Sequence, residues 1–294
     1  MNGATLRGLD GANPLGFLAA LGALDALGAG ARLSWRNQGR WHPVFHDVGS
    51  IEDIVEALAR DLRSWDDDPT LLLRYRKPNG KEVGDLKPPP ADFLAYLTGL
   101  KGERALAFAA AFATETATDN NGNTKPTALH FTAGQQLFLD MVLQLQRGVT
   151  AEDLTRAIQG PWTRASKLPS LSWDATVYRA WALRASDPSK EKRGSEPGAE
   201  WLAFRGLCFF PTVPIGRRVF TTCVSGRWKT GRMRWPLWDV PAAAPTVRAL
   251  LTTLNLTTLN SEQRSVLNIP VVFEAAIQRS DQGGYGSFSP ARVL

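Results

Sequence analysis

The chain of 294 residues is 44% hydrophobic and 21% charged, ordinary values for a globular protein with a substantial core in one large domain or two smaller ones. Its two cysteines, Cys208 and Cys223, supply neither a zinc site nor a disulfide framework, and the N-terminal apolar run Leu15–Leu27 is too short to span a bilayer and holds Asp25, so a soluble cytoplasmic protein is expected. The net charge of +6 is unevenly placed: residues 1–200 carry 23 Lys/Arg against 24 Asp/Glu, whereas residues 201–294 carry 11 against 4. That asymmetry favours an anionic partner for the C-terminal third.

In chain order, Ala4–Leu9 reads as a strand, and Asn13-Pro14 as a cap followed by the first residue of a helix over Pro14–Leu27. Small residues in that helix permit close approach of a neighbour. Gly8 to Asn13 precedes a helix N-terminus but lacks the glycine spacing of a nucleotide fingerprint, so packing is the expected role. Arg32–Trp35 and Trp41–His46 look like strands. Ser50 and Asp53 then open an amphipathic helix carrying Ile51, Ile54, Val55, Leu58, Leu62 and Trp65 at helical spacing. Leu71–Arg76 is strand-like. Helices are expected over Ala91–Leu100 and Glu103–Thr114, from Thr132 to about Arg147, and after Thr150, which with Asp153 forms another cap.

Between these helices, residues 115–127 read as a polar loop. Its Asn120, Asn121, Asn123 and Lys125 suit base edges or phosphates, and a plain connection is the alternative. Trp173–Leu183 has a helical pattern. Residues 185–199 are charged and form the expected linker or surface loop between an N-terminal unit, 1–184, and a basic C-terminal unit, 200–294; one continuous domain is the alternative. Pro245–Leu259, with its doubled LTTLN, reads as a helix too short in repeat number for a solenoid. The glycine-rich tail offers Tyr285 and Phe288 as anchors.

The most informative stretch is Arg217 to Trp238. From Trp201 to Trp238 there is no acidic residue, while Arg205, Arg217, Arg218, Arg227, Lys229, Arg232 and Arg234 are all cationic. Alternating runs on either side of a Ser225-Gly226 to Thr230-Gly231 turn predict a hairpin. Side-chain alternation puts Arg232 and Arg234 on one face, with Met233 and Trp235 on the other. The expected nucleic-acid contacts are Arg217, Arg218, Arg227, Lys229, Arg232 and Arg234 to phosphates, with Trp228 or Trp235 stacking on bases. A solvated basic face with its aromatics in the core is the competing reading.

No catalytic constellation emerges. His42 and His46 are four apart, but Pro43 and a β-like context remove the helical geometry of a metal pair, and His130 between Leu129 and Phe131 reads as a core histidine. Neither a metal nor a cofactor is expected, and no enzymatic activity. The fold class is α+β: mixed helices and short antiparallel strands, with a basic β-hairpin in the C-terminal third.

Four stretches together, LRGLDGANPLGFLAALGALDAL, ALHFTAGQQLFLDMV, WDATVYRAWALRASDPSKEK and GAEWLAFRGLCFFP, with the closing FSPA, resemble the compact large-subunit-like protein of type I-G (formerly I-U) CRISPR systems, also described as an extension linked to that subtype's helicase–nuclease. The resemblance covers most of the chain and rests on degenerate apolar motifs. It implies a subunit of an RNA-guided surveillance complex, with guide RNA (crRNA), target double-stranded DNA, other Cascade subunits and the helicase–nuclease as partners. Guide pairing would read most of the target, and the subunit would help bind the protospacer-adjacent motif. The C-terminus lacks the length of the helical bundle with which many large subunits contact the displaced strand. A protein-interaction module docking on the helicase–nuclease without touching DNA is the alternative.

Overall fold

A computed structural model describes residues 3–177, 194–253, 258–280 and 285–294. The fold is built around one helix that is apolar on every side. Asn13 caps helix α1 (Pro14–Leu27) by accepting the Leu15 N–H at 3.1 Å, and every residue from Pro14 to Leu24 is buried. Its small residues are the reason it can be. In the order of the chain, β1 (Ala4–Thr5) precedes it, and β2 (Arg32–Asn37), β3 (Trp41–His46) and α2 (Ile51–Arg63) follow. The predicted Ser50/Asp53 capping box at α2 is present in both directions. Next come β4 (Tyr75–Arg76), β5 (Glu82–Val83), α3 (Pro90–Gly99), α4 (Glu103–Phe112), β6 (Ala113–Thr118), β7 (Thr124–Pro126), α5 (Phe138–Gly148) and α6 (Ala151–Gln159).

Helix α7 (Pro197–Gly206) lies against α1, and each of its residues is buried. The crossing is glycine-dependent: a Cβ on Gly22 would stand 1.7 Å from the Leu202 carbonyl oxygen, and one on Gly206 would stand 2.2 Å from that of Leu18. Both ionisable side chains of α7 have internal partners. Glu200 accepts from Ser170 Oγ at 2.6 Å and the Leu171 N–H at 3.1 Å. Arg205 makes two bonds to Asp61, at 2.8 and 2.9 Å, and its guanidinium lies 4.7 Å from the Trp65 ring.

The remaining elements are β8 (Thr212–Ile215), β9 (Arg218–Thr221), β10 (Val224–Ser225), β11 (Arg232–Leu237), β12 (Ala242–Ala243), α8 (Ala244–Thr253), α9 (Ser261–Val266), β13 (Val271–Arg279), β14 (Gly286–Phe288) and β15 (Arg292–Val293). All strand pairs are antiparallel. One sheet has the order β1-β3-β2-β12; the other runs β10-β11-β13-β14, with β15 also on β13. Three two-stranded ribbons, β4–β5, β6–β7 and β8–β9, complete the α+β fold. Among the described residues no helix is long and apolar enough to cross a membrane.

Two indoles tie the β11 end of the second sheet to the N-terminal part of the chain, at β2 and at the loop before α1. Trp238 donates to Leu33 O at 2.7 Å, and Trp235 donates to Gly11 O at 2.8 Å. One apolar cluster therefore runs from Leu6 to Phe288, and β12 joins the N-terminal sheet from the C-terminal third. The 185–199 segment does not divide two cores. Residues 185–193 lie outside the described residues, but Ser195 and Glu196 are buried and α7 begins at Pro197, so this end is no surface loop. The reason is α7, whose amphipathic signal is absent because it is buried all round.

Other differences are local. The first strand ends at Thr5; residues 69–71 form a 3-10 turn before β4; and Thr132 bonds to His130 while the next helix starts six residues later at Phe138. Residues 113–126 form the β6–β7 hairpin where a loop was expected. Of the expected 173–183 helix, residues 173–174 are not helical, Ala175–Val177 is a 3-10 turn, and 178–183 lie outside the described residues, as do residues 254–257 of the doubled LTTLN and 281–284 of the glycine-rich tail.

Candidate nucleic-acid interface

Three hairpins contribute to a cleft of about 550 Å³. The first is the β6–β7 turn. The Asp119 carboxylate accepts the N–H groups of Asn121 and Asn123, at 2.8 and 3.1 Å, and this Asx-type turn leaves the side chains of Asn120 and Asn121 exposed at the cleft. The second is β8–β9, whose register sets Ile215 opposite Arg218 across a two-residue Gly216-Arg217 turn. Lys125 Nζ donates to Arg217 O at 2.6 Å and so ties these two hairpins together. A buried hydroxyl chain reinforces the tie: Thr221 Oγ1 lies 3.2 Å from Thr127 Oγ1 and 3.1 Å from Thr212 Oγ1.

The third hairpin is the predicted one. β10 pairs with β11 in the register Val224↔Met233 and Ser225↔Arg232. Its turn needs a glycine: Gly226 has φ 94°, and a Cβ there would stand 2.5 Å from Thr230 O. The turn carries Arg227 and Trp228 to the cleft wall.

Trp228 is 45% exposed, and the Arg279 guanidinium lies 3.4 Å from its ring centroid. Arg279 is itself fixed, donating to Trp228 O at 3.2 Å, His130 O at 2.8 Å and Ala128 O at 2.8 Å. Burial pulls this guanidinium down to about 9, so it stays cationic at neutral pH. Lys87, half-buried, stands 5.7 Å from the same ring, its ammonium lowered first by burial. Among the described residues the cleft thus gathers Lys87, Lys125, Arg218, Arg227 and Arg279 against the single carboxylate of Asp119, which is spent on its own turn. Among the described residues the Arg218 and Arg227 side chains have no acidic partner.

Of the residues expected from the sequence, Asn120, Asn121, Lys125, Arg218, Arg227 and Trp228 come together here. Arg217 and Lys229 are exposed at their turns but do not line the cleft, and neither does half-buried Asn123.

Trp235 as a stacking residue is corrected. It is fully buried with Met233, packed 5.8 Å from both Phe17 and Phe273, on the core side that strand alternation assigns. Arg232 and Arg234 do occupy the opposite side, but they are engaged by Glu274 of the facing strand. Arg232 Nη1 lies 2.8 Å from Glu274 and Arg234 Nε 2.6 Å from it, while Arg292 Nη2 approaches to 2.7 Å. Glu274 is 2% exposed. Burial opposes its ionisation, yet the Arg292 and Arg234 bonds hold its carboxyl below the usual range. The expectation of an open basic face at Arg232 and Arg234 fails because their counter-charge lies 42 and 40 residues further along the chain.

Arg279, Lys87 and Phe220 are the cleft residues that sequence reasoning missed. Nothing near Arg279 in sequence points to an indole 51 residues earlier. The histidines have structural partners: buried His130 lies 3.0 Å from Asp85 and 3.1 Å from Thr132, and burial lowers its imidazole. His42 contacts Leu9 O and His46 contacts Ser34 Oγ. In the Asp66–Asp68 run, Asp68 caps a 3-10 turn and pairs with Arg104 at 2.6 Å, and Asp66 accepts from Gln146 at 2.6 Å. Neither a protein-family model nor a curated protein matches this chain.

Proposed function

We propose that this chain is a non-catalytic nucleic-acid-binding subunit of a type I-G CRISPR RNA-guided surveillance complex in the cytoplasm, contributing to target-DNA and protospacer-adjacent-motif binding and to helicase–nuclease recruitment. The observation that carries the nucleic-acid part is the cleft. Two stretches separated by about ninety residues, each singled out as a candidate nucleic-acid contact, meet in one concave, cationic wall with amide and aromatic side chains. The CRISPR assignment rests on the sequence resemblance. Guide RNA, target DNA, the backbone subunits and the helicase–nuclease are the partners it implies.

Co-expression with the backbone subunits and a crRNA tests the proposal. The chain is expected to co-elute with the particle, and the particle lacking it is expected to bind target DNA more weakly. Elution of the chain alone, beside a particle that binds target normally, overturns the subunit assignment.

One observation favours the docking reading as a second role. Val213, Ile215 and Phe220 share one face of the β8–β9 ribbon and are 50%, 60% and 38% exposed. An apolar strip of that kind suits a protein partner.

A further inference from the structure

Resting on the nucleic-acid reading, we infer that the cleft takes an unpaired stretch of nucleic acid, one or two nucleotides deep, with a base stacked on the exposed part of the Trp228 ring. The sharing of the indole is the first argument. Arg279 lies over the ring at 3.4 Å and the Lys87 ammonium stands 5.7 Å from it, yet the residue keeps 45% of its surface accessible. In a duplex each base face is already covered by its neighbours, so an aromatic side chain gains stacking only from a base that has left the helix or was never paired.

Preorganisation is the second argument. Three backbone carbonyls hold Arg279, and Arg279 holds the indole, so little side-chain freedom is lost when a base arrives. A surface tryptophan with no such support would have to be ordered by its ligand.

Size and chemistry agree. A cleft of about 550 Å³ falls in the range of small-molecule sites, room for a nucleotide or two and too small to receive a double helix. Phe220, 38% exposed, lines the same cleft and offers a second ring. Asn120 and Asn121 present amide donors and acceptors, which read a Watson–Crick edge only when it is unpaired. Arg218, Arg227 and Lys125 supply the cations for the phosphates on either side. Every base has a π-face, so sequence preference at this site is expected to be weak.

The test is fluorescence anisotropy of the full chain with an end-labelled oligothymidylate, the oligouridylate of equal length and a DNA duplex of equal length. Single strands are expected to bind at least about 10-fold more tightly than the duplex. Trp228→Ala is expected to weaken single-strand binding by about 10- to 100-fold and duplex binding by less than about 2-fold, with Trp228→Phe recovering most of the loss. Unchanged melting of both variants, reasonable for an exposed residue, separates stacking from misfolding. The oligothymidylate and oligouridylate arms decide between DNA and RNA. Duplex binding as tight as single-strand binding, or single-strand binding indifferent to Trp228→Ala, overturns this inference and leaves general polyanion binding standing. Absence of binding to all three probes, in the free chain and in the assembled particle, overturns the nucleic-acid reading itself.

Discussion

The two arginine pairs of the basic stretch are chemically alike and structurally opposite, and a matched pair of double mutants separates them. Arg218 and Arg227 line the cleft without an acidic partner among the described residues, so each is available to a phosphate. Each phosphate contact to a single strand contributes about 0.7 to the slope of log K against log salt. Arg218→Ala with Arg227→Ala should flatten the slope by about 1.4 and, at about 0.1 M salt, weaken binding about 25-fold, with no change in melting. Arg232→Ala with Arg234→Ala should do the reverse. It leaves the buried Glu274 carboxylate with Arg292 alone, and that guanidinium is 68% exposed. Stripping partners from a buried carboxylate costs about 3–5 kcal/mol in the limit of full burial. The half-exposed position of Arg232 and the survival of Arg292 reduce this to about 2–3 kcal/mol. The folded double mutant should keep the wild-type slope. Anisotropy titrations across a salt series, paired with thermal melts, read both quantities. A slope flattened by the Arg232/Arg234 pair and untouched by the Arg218/Arg227 pair would refute the placement of the binding surface.

Three further outcomes follow from the core and from the absence of a catalytic constellation in the sequence. Gly22→Ala drives a methyl group into the Leu202 carbonyl and should cost about 3 kcal/mol or more, whereas Gly30→Ala, with nothing within 4 Å, should leave the melting temperature unchanged. Burial raises the Glu200 carboxyl to about 7, above its unfolded value. Its folding contribution is therefore complete below the unfolded pKa and is lost as pH rises through about 7, worth about 3 kcal/mol by pH 8. Glu200→Gln should melt higher than wild type at pH 8.5 and no higher at pH 5; a pH-independent difference would count against the buried neutral carboxyl. Purified chain incubated with single- or double-stranded DNA or RNA and Mg²⁺ or Mn²⁺ should leave every substrate intact, and metal-dependent cleavage that tracks the chain through purification would sink the non-catalytic assignment.

What the sequence disclosed about the fold followed the range of its signals. The caps at Asn13, Ser50 and Thr150 are three-residue patterns and each stands where expected. The alternation that set Met233 and Trp235 apart from Arg232 and Arg234 is a two-residue pattern, and it holds. Helix α7 was invisible because its signal is the opposite of amphipathic: a short segment buried on every side has no period to detect, and its Glu200 and Arg205 read as surface residues until Ser170, Asp61 and Asp25 are brought beside them. β13 carries no clear signal of its own either. Its buried Glu274 looks like a break in an apolar strand, and only the register of β11 explains it.

The site divides along the same line. Residue types were legible: a run with no acid, glycine-framed turns, an asparagine-rich segment. Which cations stay unneutralised was not, because that depends on carboxylates distant in sequence. Glu274 takes Arg232 and Arg234 out of play, and among the described residues no carboxylate reaches Arg218 or Arg227. The charge that matters for an anionic ligand is therefore what remains after the fold has paired its own groups. The seven cations between Trp201 and Trp238 include Arg205, spent on Asp61 and Asp25, and the two spent on Glu274. The cleft replaces part of that loss from outside the stretch, through Lys87, Lys125 and Arg279. A basic surface thus persists at the place the sequence indicated, but it is assembled from a different set of residues, and the tryptophan that serves it is the one at the turn tip, where a ring remains exposed.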